Sequence, residues 1–181
     1  MLKPITFVIA LLAFFAAGAW VAPLSAQAHG GAVGAQQEFL AKRAGNYTRV
    51  IKFMGQPGEW KGTSKISVIL GGRFIMEENH DRVMGNPVEG IRILGYDDAS
   101  KHYELISMYT MSTGITKFTG TSSDGGRTVD YSATSSEPQG QVPLHALIRQ
   151  VNSDEFVVTL STRGPDGKFK PFQETTYTRV K

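Results

Sequence analysis

Residues 59–87 read EWKGTSKISVILGGRFIMEENHDRVMGNP, and their punctuation decides the fold. Side chains of an extended segment alternate with a period of two, so Glu59–Leu70 places Gly62, Ser64, Ile66, Val68 and Leu70 on one face. Gly71-Gly72 follows, and adjacent glycines supply the positive φ angles of a two-residue hairpin. Arg73–Val83 is a second extended segment, closed by the turn residues Met84-Gly85-Asn86-Pro87. Two strands joined so tightly must run antiparallel.

The same grammar extends both ways. Upstream, Asn46–Phe53 reads as a strand ending in the turn Met54-Gly55-Gln56-Pro57-Gly58. Downstream, strands are predicted at Val88–Tyr96, Lys101–Thr110, Ile115–Thr121, Arg127–Thr134, Pro143–Val151, Glu155–Thr162 and Phe172–Val180. Asp97-Asp98-Ala99-Ser100, Ser122 to Gly126 and Gly164-Pro165-Asp166-Gly167 supply turns, and Ser135 to Gln141 reads as a polar Pro/Gly loop. About ten strands without a long helix between them predict an all-β fold. Its form is an antiparallel up-and-down barrel of about 8–10 strands, which removes unpaired edges by closing. A β-sandwich is the alternative. Ahead of the strands, Gln36 to Ala44 holds helix formers with Phe39 and Leu40 as the buried side, and Gly45 can end that one short helix.

The first residues follow different rules. Lys3 gives a positive start, Ile5 to Ala22 is predominantly apolar and uncharged, and Pro23 breaks the run. Ala26-Gln27-Ala28 then offers the small residues that a signal peptidase requires. An uncleaved anchor is the competing reading, since about 18 apolar residues can just span a bilayer. The domain organisation expected is a signal peptide at 1–28, a leader and short helix at 29–44, and a barrel at 45–181. Cleavage after Ala28 would send the chain to the periplasm or outside the cell with no stable membrane span. There is no cysteine to carry a lipid.

Composition narrows the class. A single domain of this length buries a core without staples, and the absence of cysteine removes thiol chemistry and Cys-based metal sites. Lys3 is the one charged residue of the expected signal peptide, so cleavage would take the formal net charge from +3 to +2. The basic residues are scattered rather than clustered, which excludes nucleic acid as a partner.

Several blocks occur in a distinctive order. Leu70-Gly71-Gly72-Arg73-Phe74-Ile75-Met76-Glu77-Glu78 precedes Met84-Gly85-Asn86-Pro87-Val88-Glu89-Gly90, then Gly95-Tyr96-Asp97, Tyr103 and Met111-Ser112-Thr113-Gly114. This order resembles the bacterial family of domain of unknown function 1579, grouped with lipocalin-like (calycin) barrels. The resemblance runs from about Phe39 to Lys181 and is densest between Leu70 and Gly125. It implies a lipocalin-like barrel and brings no reaction. Lipocalin-like barrels often open with Gly-x-Trp, where this chain has Gly45-Asn46-Tyr47, and Tyr47 would replace the tryptophan as a plug.

Candidate residues follow from strand alternation. If Phe74, Met76, Glu78, His80 and Arg82 point inward, a carboxylate, an imidazole and an arginine line an apolar pocket, as small-molecule sites require. The competing placement puts Glu78, His80 and Arg82 at the rim in water. Tyr103, Leu105, Ser107 and Tyr109 share a face that suits an amphipathic ligand, or else an outer wall. The ligand-binding set is therefore Trp60, Met76, Glu78, His80, Arg92, Tyr103 and Tyr109. His29, His80, His102 and His145 lack the spacing of a zinc site, and a copper site at a newly exposed His29 is disfavoured by its glycine-rich surroundings. Haem through His145 would need a large empty pocket. No cofactor, metal or catalytic residue is assigned. No nucleophile elbow or phosphate loop occurs. The expectation is an exported, non-enzymatic barrel binding a small hydrophobic or amphipathic molecule in its lumen. The alternatives are an enzyme using Glu78 and His80, or a filled barrel that meets a partner through the Ser135–Gln141 loop.

Overall fold

The computed structural model describes residues 32–137 and 140–181; the expected signal peptide and the first leader residues lie outside the described residues. Val33–Lys181 form one compact unit. A helix, α1 (Ala35–Ala41), precedes ten strands: β1 (Gly45–Phe53), β2 (Trp60–Ile69), β3 (Phe74–Val83), β4 (Asn86–Asp97), β5 (His102–Tyr109), β6 (Thr116–Thr121), β7 (Thr128–Glu137), β8 (Gly140–Gln150), β9 (Glu155–Arg163) and β10 (Phe169–Arg179). Each strand pairs antiparallel with its sequence neighbours, and β1 pairs with β10 from Tyr47↔Arg179 to Phe53↔Gln173. That last ladder closes the barrel and rules out a sandwich. Among the described residues every strand has a paired neighbour on both sides, the shortest ladder being β6–β7 from Thr119↔Ser132 to Thr121↔Asp130.

Alternation sets the inner face. Tyr47, Arg49 and Ile51 of β1, Ile75, Glu77, Asn79 and Asp81 of β3, and Tyr103, Leu105 and Ser107 of β5 are buried. The lumen divides into two halves along the barrel axis. Towards α1, Tyr47, Tyr103, Tyr131, Ile148, Phe156 and Tyr177 interlock with Leu40 of the helix. Tyr47 plugs this end. Its hydroxyl donates to the Arg43 carbonyl at 2.8 Å, and Arg179 lies over its ring at 4.9 Å. The Arg179 guanidinium also donates to the Ala44 and Lys42 carbonyls at 2.6 and 2.9 Å. Gly45 has φ +151°, and a Cβ there would collide with that guanidinium. The backbone angle favours glycine there, and a larger residue would also displace the Arg179 head from its carbonyls.

Several boundaries differ from the sequence expectation, the following for a local reason. The expected two-residue Gly71-Gly72 hairpin is a four-residue connection, Leu70 to Arg73, with Ile69 opposite Phe74 and Leu70, Gly71 and Gly72 all at positive φ. The turn after β3 is two residues, Met84-Gly85, both at positive φ, with Val83 opposite Asn86. Pro87 therefore sits in β4, near its start, where proline is tolerated. Most of the expected Ser135–Gln141 loop is strand: β7 and β8 stay paired to Glu137↔Gly140. The Ser132-Ala133-Thr134-Ser135-Ser136 run extends as readily as it loops, and Ser135 is buried on the inner face. β10 begins at Phe169 rather than Phe172, with a bulge between Pro171 and Gln173 that lets the proline join a ladder.

Candidate site in the lumen

The residues that mark the site come from the inner faces of β1, β3, β4 and β10. Glu77 lies opposite Arg92 across the β3–β4 ladder. Arg92 Nε donates to Glu77 Oε2 at 3.0 Å, and Arg92 Nη2 donates to the same oxygen. The Tyr177 hydroxyl donates to Glu77 Oε1 at 2.7 Å and accepts from Arg92 Nη2 at 2.6 Å. Burial pushes the Glu77 carboxyl up, but Arg92, Arg49 and these hydrogen bonds more than offset it and hold it below its ordinary range. Burial would lower Arg92, and Glu77 reverses the sign, so both partners stay charged.

A second pair stands beside the first. Arg49 Nη1 donates to Asp81 Oδ2 at 2.6 Å, with both side chains almost wholly buried. Gly62 lies between them in register, and its missing Cβ makes room for the Asp81 carboxylate. Burial raises the Asp81 carboxyl, and Arg49 offsets only part of that rise. Several polar atoms here lack a protein partner: Arg49 Nε, Asp81 Oδ1, Ser64 Oγ and both amide atoms of Asn79. This polar belt crosses the middle of the lumen.

Beyond the belt, away from α1, the lumen is open. A cavity of about 370 Å³ has Arg49 and Asp81 among its walls, with Ile51, Phe53, Phe118, Leu160 and Phe172 supplying apolar surface. Among the described residues, Arg49 and Asp81 are the only charged side chains lining it. Exposed Met54, Met84, Met111 and Ile115 stand in the connections at the same end. Met84 takes φ +51°, a backbone region costly for a side chain with a Cβ. The rim is apolar where local turn chemistry would favour Asn or Gly.

The expected site residues separate into three groups. Arg92 is in the polar belt and Tyr109 lines the cavity, packed over Gly90. Trp60 is in register with inward-facing Ile51 and meets Phe53 edge-on at 5.1 Å, which places it at the mouth. Tyr103 is buried in the filled half against Tyr96, away from the cavity. Met76, Glu78 and His80 are not in the lumen. They occupy the outer face of β3, where His80 is 3.7 Å from Glu89 with both side chains largely exposed. The inner set is Ile75, Glu77, Asn79 and Asp81, because those carboxylates find arginines on β4 and β1. A lumen enzyme using Glu78 and His80 has no basis in this geometry. His145 lies outside too, paired with Asp130. Among the described residues no group of three His, Asp or Glu side chains is placed to hold a metal.

Glu77, Asp81, Arg49 and Tyr177 were not singled out by the sequence reading. One signal could have found two of them. With Met84-Gly85 as a two-residue turn, β3 and β4 fall in a register that sets Glu77 opposite Arg92. Placing Arg92 inside then places Glu77 inside.

Comparison with known proteins agrees with the fold. The S-type phycobiliprotein lyase of Guillardia theta superposes with a TM-score of 0.54 at 13% identity, over 80% of this chain and 92% of that one. A redesigned β-barrel gives a TM-score of 0.44 at 10% identity, over 83% of this chain and all of that one. No curated protein matches. The model of the protein family of unknown function DUF1579 matches residues 32–179, which takes in α1 and all ten strands, and the chain belongs to that family.

Proposed function

We propose that this chain is an exported barrel that binds a small, largely apolar molecule in the open half of its lumen. One observation carries the reading: a cavity of about 370 Å³ with largely apolar walls, a buried Arg49–Asp81 pair and a few neutral polar side chains. Small-molecule sites are typically about 300–1,000 Å³ and combine apolar walls with a few convergent polar groups. Affinity would come from apolar burial, at about 25 cal/mol per Å² before ordering costs. The filled half by α1 supplies the core, so the open half is not needed for packing. Export is supported by the sequence alone, through the apolar run and Ala26-Gln27-Ala28.

Trp60 makes the test simple, since it is the single tryptophan after residue 28 and stands at the mouth. Native mass spectrometry of protein from its own compartment, before and after denaturation, should show a retained small molecule. Its mass, less the ligand, should begin the chain at His29. Apolar probes added to stripped protein should change Trp60 fluorescence saturably. Ser107, which lines the cavity from β5, provides the block: Ser107→Phe should abolish that response while circular dichroism stays barrel-like. A folded Ser107→Phe protein that binds normally would remove the lumen as the site.

A further inference from the structure

Resting on that lumen reading, the charge arrangement assigns the ligand's polar end. We infer that the cavity takes a neutral amphipath, an apolar chain ending in a hydroxyl or carboxamide, and discriminates against carboxylates and amines.

Four observations lead there. Arg49 and Arg92 are the arginines of the lumen belt, and each already has a carboxylate of this chain. Arg92 is engaged through Nε and Nη2, which Glu77 and Tyr177 occupy, and those two are bonded to each other. Arg49 and Asp81 line the cavity as a pair, so the charge there sums to zero. An entering carboxylate would lose its water and meet no unmatched cation, with two carboxylates close by. An ammonium group would meet no unmatched anion. Burying an uncompensated charge is the costliest event a cavity can impose.

What the wall offers besides the pair is neutral: Ser107, Tyr109, Thr116 and Gln173 line the same cavity, and each carries a group that both donates and accepts. A hydroxyl or primary amide donates and accepts at once, which complements that set. A carboxylate only accepts, and an ammonium only donates.

The experiment holds the chain constant and varies the head. Decanol, decanamide, decanoate and decylamine are titrated into the stripped full-length mature protein at neutral pH, followed by Trp60 fluorescence and calorimetry. Decanol and decanamide should bind, with decanoate and decylamine weaker by about tenfold or more, the scale expected for an unmatched buried charge. Asp81→Asn removes the carboxylate that neutralises Arg49, so decanoate should gain about tenfold while decanol changes less. If that variant does not fold, the wild-type series decides alone. Decanoate or decylamine binding as tightly as decanamide would overturn the neutral-head assignment and leave the lumen reading standing. No binding of any head, or binding that survives Ser107→Phe, would overturn both.

Discussion

Glu77 is the charged side chain on which the lumen most depends. It is 2% exposed, accepts from Arg92 through both guanidinium atoms that reach it, and receives the Tyr177 hydroxyl. Such a pair need not stabilise the fold more than apolar residues of equal volume would, yet losing one partner strands the other. Glu77→Gln should therefore destabilise the barrel by about 3–5 kcal/mol in urea denaturation, and a compensating Arg92→Met should recover part of that. The pH dependence has a definite sign. The folded carboxyl sits below its ordinary value of 4.5, so its contribution is fully present above 4.5 and is lost as pH falls through the folded value. The gap in stability between wild type and Glu77→Gln should then narrow as the medium is acidified below 4.5. A gap that stays constant down to the acid transition would mean that Glu77 is not held ionised.

At the scale of elements, α1 and the end of β10 act as one closure. Arg179 binds two carbonyls of the α1–β1 connection and covers the Tyr47 ring, so strand ten fastens the segment that leads into strand one. Hydrogen bonds from a charged donor contribute about 1.5–3 kcal/mol, so Arg179→Ala should cost about that much. It should also speed amide exchange in residues 35–45 more than in β5 or β6. Equal acceleration everywhere would show that the contact is not local. The elements themselves were largely legible, because turn chemistry is written in short words: Gly71-Gly72, Met84-Gly85 and Asp124-Gly125-Gly126 each lie between strands. Tyr47 was legible as a plug only through the Gly45-Asn46-Tyr47 pattern. The inner face of β3 was not legible from that strand alone. Each of its faces mixes apolar residues with charges, Phe74 and Met76 with Glu78 and Arg82 on one and Ile75 and Val83 with Glu77 and Asp81 on the other, so alternation gives no contrast. What settles the question is two arginines on other strands, and that information is non-local. The Ser135–Gln141 segment failed for a related reason, since its pairing with β8 outweighs its loop-like composition.

The whole barrel divides along its axis into a packed half and an open half, and the proposed function assigns stability to the first and binding to the second. Ile148, 1% exposed, belongs to the interlocked half under α1, whereas Leu160 is half-buried and lines the cavity. Removing a side chain from a packed core costs its transfer energy and leaves a void, but beside an existing cavity there are fewer contacts to lose. Ile148→Ala should cost about 2–5 kcal/mol, with Leu160→Ala below that range. Binding of an apolar probe should rank the other way, since Leu160 lines the cavity and would offer wall area to a probe, whereas Ile148 does not line it. Paired urea denaturation and Trp60 titrations of the two variants measure both quantities in one set of samples. If Leu160→Ala cost as much stability as Ile148→Ala and left probe affinity unchanged, the open half would be core as well. The barrel would then be filled throughout, and a partner at the apolar rim rather than a guest in the lumen would have to account for Met54, Met84 and Met111 standing exposed around its mouth.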